Sequence, residues 1–83
     1  MEEKLIGKIT HYFGKISVAI VELSSVLKVG DRIHIKGHST DFEQDVSSIQ
    51  IEHENVEKAK KGDAIGIKVD EKVREGDEVY LIV

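Results

Sequence analysis

The residues best suited to chemistry are few and scattered. His34, Lys36 and His38 share the two-residue spacing that puts side chains on one face of an extended strand. With Asp41 or His53 nearby they would offer imidazole and carboxylate donors of the kind zinc or nickel takes. Asp41, Glu43 and Asp45 alternate in the same way, as carboxylates must if they are to share a cation or act as an acid and base pair. Ser24-Ser25 and Ser47-Ser48 supply hydroxyls, but neither pair lies in a nucleophile elbow. Lys58, Lys60 and Lys61 form a basic cluster fit for a phosphate, with Lys8, Lys15 and Lys28 as further cations.

Each group also has a plainer explanation. Gly37 is expected to turn the chain before His38 can align with His34, which leaves outward histidines on a polar face and no metal or cofactor. The acidic triplet reads as a solvated face. Glu52, Glu54 and Glu57 weaken the field of the lysines, so Lys58, Lys60 and Lys61 stand only as a candidate RNA or phosphate contact. No catalytic residue is assigned, and the chain is expected not to be an enzyme.

The elements that carry these groups follow from length and pattern. Eighty-three residues, 40% hydrophobic and 34% charged, suit one domain spanning residues 1–83, with a thin core and no deep cavity. Without cysteine, stability must come from packing and a regular hydrogen-bond ladder. The start Met1-Glu2-Glu3-Lys4 lacks the features of a secretory signal, and the apolar run Val18 to Val21 is far short of a membrane span. A cytoplasmic protein without membrane contact is expected. Its formal charge of −4 disfavours loose attraction to phosphate backbones.

Apolar residues recur with period two, which predicts strands. In the first, Leu5, Gly7, Ile9, His11 and Phe13 alternate with Lys4, Ile6, Lys8, Thr10 and Tyr12. Further alternating runs cover Ile16 to Leu23, Arg32 to Lys36, Ala64 to Val69 and Glu78 to Val83. From Asp41 to His53 the buried parity changes, from Phe42 and Val46 to Ile49 and Ile51, which predicts a bulge or bend near Ser47-Ser48. Residues 55–61 are the helical candidate, one or two turns capped by Asn55 and closed by Gly62. Gly30-Asp31, Gly62-Asp63 and Gly76-Asp77 read as turns into strands. Together these predict an all-β fold, a six-stranded closed antiparallel barrel of Greek-key type with one short helical turn. Pairing of the terminal strands would then merge Ile6 and Tyr12 with Tyr80 and Ile82 into an outer apolar patch for a protein partner or a second copy. The chain is accordingly expected to be a monomer or a weak homo-oligomer.

The order of these pieces resembles the second domain of translational GTPases. The matching stretches are Ile6 to Ile9, Val18 to Leu23, Leu27 to Ile35, Val46 to Ile51 and Val56 to Ile67. The chain is similar, more closely still, to the C-terminal barrel of U32 peptidase-like proteins, through Gly7 to Tyr12, Gly30 to Gly37 and Gly76 to Tyr80. The likeness implies a barrel. It does not bring nucleotide hydrolysis, because Gly7 to Gly14-Lys15-Ile16-Ser17 has the wrong spacing for a phosphate-binding loop. The function expected from sequence is a binding or adaptor module that docks a protein or a ribonucleoprotein. The alternatives are an accessory barrel acting in trans with a U32 peptidase-like enzyme, and a small RNA-binding protein.

Overall fold

In the computed structural model, which describes residues 2–83, the alternating runs become ten strands, and no helix occurs among the described residues. They are β1 (Glu3–Phe13), β2 (Val18–Leu23), β3 (Leu27–Lys28), β4 (Arg32–Lys36), β5 (Asp41–Asp45), β6 (Ile49–Ile51), β7 (Glu54–Val56), β8 (Lys58–Ala59), β9 (Ala64–Lys68) and β10 (Glu78–Ile82). Eight form one sheet in the order β5-β4-β10-β1-β2-β9-β6-β7, while β3 pairs with β8, and every pairing is antiparallel. Among the described residues no helix is long and apolar enough to cross a membrane.

The long β1 holds the sheet together by pairing with β10 along its first half and with β2 along its second. Its register shifts twice, between Leu5 and Gly7 and between Ile9 and His11, so Ile6 and Thr10 are extra residues. Each insertion flips the faces of all that follows. Ile6, Ile9 and, half-buried, Tyr12 therefore face the core, whereas Leu5 and Phe13 turn outward, contrary to simple alternation. Thr10 steadies the second bulge by donating its hydroxyl to the Ile20 carbonyl at 3.3 Å. Beyond the bulges alternation holds: Ala19, Val21 and Leu23 on β2, Ile33 and Ile35 on β4, and Ile65 and Ile67 on β9 are all buried, while Val18 and Ile20 on the other face of β2 are half-buried. On the inner face Gly7, Val79, Ile35 and Phe42 lie in one row across β1, β10, β4 and β5.

The closed six-stranded barrel is not what forms. The sheet curls around one core, but no ladder joins its end strands β5 and β7. Near the open seam, Gly30 donates to the Val46 carbonyl at 2.9 Å, Val46 to Asp31 at 2.8 Å and Val29 to Glu57 at 2.9 Å. The strand count rises from six to ten because the run from Asp41 to His53 breaks at residues 46–48 into β5 and β6, which pair with different neighbours, and because β3, β7 and β8 form in segments expected to be loop or helix. The helix expected over residues 55–61 is replaced by β7 and β8. So short a helix gains little on its own, whereas Ile49 lies opposite Val56 and Leu27 opposite Ala59, and Val56 and Ala59 pack on the core.

The Gly-Asp pairs prove to be one repeated device. In Lys28 to Asp31, Lys60 to Asp63 and Arg74 to Asp77 the glycine has φ of 97°, 92° and 92°, the left-handed third position of a type II turn. The aspartate N–H donates to the carbonyl three residues earlier at 3.1, 3.0 and 3.1 Å. In return its carboxylate accepts that residue's N–H at 2.9, 3.0 and 2.8 Å. The glycine meets the need for positive φ without steric cost, and the aspartate satisfies an otherwise orphaned donor.

Candidate functional site

Hairpin pairing of β4 with β5 sets Arg32 opposite Asp45, His34 opposite Glu43 and Lys36 opposite Asp41, so a basic row meets an acidic row. Pairing of β10 with β1 and β4 then brings Tyr80 and Glu3 to the same outer face. Glu3 is the centre of this network: Oε2 lies 2.6 Å from His34 Nδ1 and Oε1 lies 2.8 Å from Lys36 Nζ. The other ring nitrogen of His34 is bonded to Asp41. Arg32 bonds Glu43 at 3.3 Å and Asp45 at 3.0 Å. The Lys36 ammonium also sits 4.7 Å from the centre of the Tyr80 ring, within cation–π range, while the Tyr80 hydroxyl donates to Glu78 at 3.1 Å.

The electrostatics follow from these contacts. Hydrogen bonds to Asp41 and Glu3 raise the His34 pKa above its ordinary 6.5, and both ring nitrogens facing carboxylates mark an imidazolium. Lys36 and then His34 hold the Glu3 carboxyl below its ordinary 4.5. A raised histidine stabilises the fold fully below its unfolded pKa and loses that contribution as pH climbs through the folded value, while a depressed carboxyl loses its contribution as pH falls. The His34 staple should therefore be intact between about pH 4.5 and 6.5 and weaken above that range. Thermal midpoints should fall as pH rises through the raised His34 value, and His34→Gln should flatten that part of the profile. A wild-type midpoint that stays constant from pH 6.5 upward would show that the staple contributes nothing.

Glu3, His34 and Glu43 each offer one donor atom, all within 4.8 Å of one another, so a small cation could be accommodated geometrically. Both nitrogens of His34 are already bonded, however, Glu3 holds Lys36, and Glu43 holds Arg32. Each group has its counter-charge within the network, which is a self-satisfied ionic face. His38 lies exposed beyond Gly37, and His53 is in the turn between β6 and β7, so neither joins His34.

The apolar patch expected from Ile6, Tyr12, Tyr80 and Ile82 does not assemble. The terminal strands do pair, with Glu3 opposite Ile82 and Leu5 opposite Tyr80. The first bulge, however, turns Ile6 wholly inward, Tyr12 packs against the core, Tyr80 lies in the ionic face, and Ile82 is half-buried. The large apolar side chains that are exposed among the described residues are instead Leu5, Phe13, Ile16, Val26, Val29 and Val83. Lys58, Lys60 and Lys61 are all exposed, and Lys58 lies directly opposite Lys28 across β3 and β8. Glu3 was missed from sequence because it stands thirty-one residues from His34. The complementary rows on β4 and β5 were legible once the segment 37–40 is taken as a hairpin turn.

An all-β sheet of this order, curled on one core and carrying a charged outer face, is the fold of a known domain class. It superposes on the C-terminal domain of a Geobacillus thermoleovorans protein described as a U32 peptidase, with a TM-score of 0.90, 17% identity and coverage of 96% of this chain and 93% of that one. A second crystal structure of that domain, a selenomethionine variant, gives a TM-score of 0.87 and 18% identity, covering 92% of this chain and 96% of that one. In sequence the chain is 49% identical over 78 residues to the Methanocaldococcus jannaschii protein named uncharacterized protease MJ0090, covering 93% of this chain and 19% of that protein. A Porphyromonas gingivalis protein named collagenase is 42% identical over 81 residues, covering 95% of this chain and 22% of that protein. No family model matches. The chain thus spans about one fifth of the length of the curated relatives it matches. The expectation that the chain is not an enzyme is overturned by these relatives: nearly its whole sequence recurs as about one fifth of proteins named protease and collagenase.

Proposed function

We propose that this chain serves as the accessory β domain of a U32 peptidase-like protein, fused to it or acting in trans. The observation that carries this reading is the 49% identity over 93% of the chain to a segment of a protein named as a protease. The superposition on the C-terminal domain of a U32 peptidase supports the same placement. In this role the domain positions the larger body or its substrate. The test is a chimera of the Porphyromonas gingivalis collagenase in which this chain replaces the matching segment. Deleting the segment should lower gelatin hydrolysis, and the chimera should restore it. A chimera no better than the deletion would end the reading.

A second reading, contact with a ribonucleoprotein, is favoured by the Lys28 and Lys58 pair, whose like charges directly opposite each other work against the fold. With Lys60 and Lys61 they make a basic corner that a phosphate backbone would relieve. The motif likeness to the second domain of translational GTPases agrees with it. Binding to total RNA should then weaken steeply with salt, and Lys58→Glu with Lys60→Glu and Lys61→Glu should abolish it. RNA retention unchanged by the triple substitution would remove the assignment.

A further inference from the structure

We infer that the apolar groove between the β1–β2 turn and the β6–β7 turn is where this domain docks onto the body of the peptidase-like protein, an inference that rests on the accessory-domain reading above. The groove encloses about 250 Å³. Phe13, Ile16, Val18 and Ile20 form its apolar lining, and Gln50, Glu52 and His53 add a polar one. Ile16 is 59% and Phe13 45% exposed, and they stand together at this groove, while Leu5, Val26, Val29 and Val83 are the other large apolar side chains left in water among the described residues.

Two features separate this surface from the rest. The outer face of β4, β5 and β10 has matched its charges internally, so a partner there would have to break existing ion pairs. The groove has no such internal partner. In addition, the non-glycine residues with positive φ among those described are Ser17 at 55°, Glu52 at 51° and His53 at 67°; Glu52 and His53 line the groove, and Ser17 stands in sequence between two of its lining residues, Ile16 and Val18. Glu52 and His53 form a two-residue hairpin loop with both φ positive, a turn that favours Asn-Gly. Such strain costs about 1 kcal/mol or more per residue and gathers at binding surfaces. The occupant follows from size: relatives about five times as long carry this segment, and domains of one chain pack through mixed apolar and polar interfaces such as this lining offers. The remainder of the peptidase-like polypeptide, presenting an apolar knob, is therefore the partner assigned.

Hydrogen exchange on the collagenase chimera and on the isolated chain tests this. Amides from Gly14 to Ile20 and from Gln50 to Glu54 should exchange about tenfold more slowly in the chimera, and Ile16→Glu should return them to the isolated rate. The same substitution should leave the thermal midpoint of the isolated chain unchanged, since Ile16 is mostly exposed. Protection that appears only on another face would overturn the groove assignment and leave the accessory reading intact. Concentration-dependent protection of the groove in the isolated chain, lost with Ile16→Glu, would reassign it to a second copy and equally overturn the inference. A chimera without protection anywhere and without restored gelatin hydrolysis would sink both.

Discussion

Gly37→Ala should cost about 3 kcal/mol of stability, among the largest losses available to a single methyl group in this chain. A Cβ on Gly37 would stand 1.8 Å from Asp77 Oδ1 and 2.5 Å from its carboxyl carbon, so one of the two must move. Asp77 is not free to do so. It is 4% exposed, and its other oxygen accepts the Arg74 N–H at 2.8 Å in the last of the three Gly-Asp turns. Displacing the carboxylate would orphan that donor, and shifting Gly37 would strain the end of β4. Urea denaturation of Gly37→Ala, Asp77→Ala and the double variant should yield a coupling energy of about 1 to 3 kcal/mol, the methyl group being tolerated once the carboxylate is gone. Strict additivity would mean that the clash is absorbed elsewhere.

Ile35→Ala should lose about 3 to 4 kcal/mol, because the cavity it leaves cannot collapse. Ile35 is fully buried in the row that runs from Gly7 through Val79 to Phe42. Val79 beside it is tied to ladders on both sides and Phe42 to one, and at the far end Gly7 is packed so closely that a Cβ there would meet Val21 Cγ1 at 2.7 Å. The row therefore has no slack to lend. Ile16→Ala, made on a side chain 59% exposed, should change stability by less than about 0.5 kcal/mol. If the two alanine variants unfold at similar denaturant concentrations, the core is looser than its geometry implies.

Strand content was legible in the alternation, and the inward faces of β2, β4 and β9 follow it residue by residue. What escaped was whatever depends on one extra residue or on a distant partner. Leu5 and Ile6 are both aliphatic, so nothing in their types says which one the bulge sends inward. Residues 55–61 carry a weak local preference for helix that the long-range ladders of β7 and β8 override. Closure could not be read either, since the seam depends on whether β5 and β7 meet after the whole sheet has curled. At the ionic face, the basic and acidic rows were visible in the spacing of Arg32, His34 and Lys36 against Asp41, Glu43 and Asp45. The bond from Glu3 that knits them together reaches thirty-one residues along the sequence to His34 and leaves no local mark.

The unzipped seam leaves two strand margins whose backbone groups could recruit a foreign chain, the hazard that a cylinder without ends avoids. Charged side chains line one margin, where Asp41 is held by His34 and Glu43 and Asp45 by Arg32, and Glu54 begins the other. A strand adding to the first margin would have to break or desolvate these ion pairs before its amides could pair. Charged edges are the device by which an open sheet resists the pairing that a cylinder escapes by having no edge.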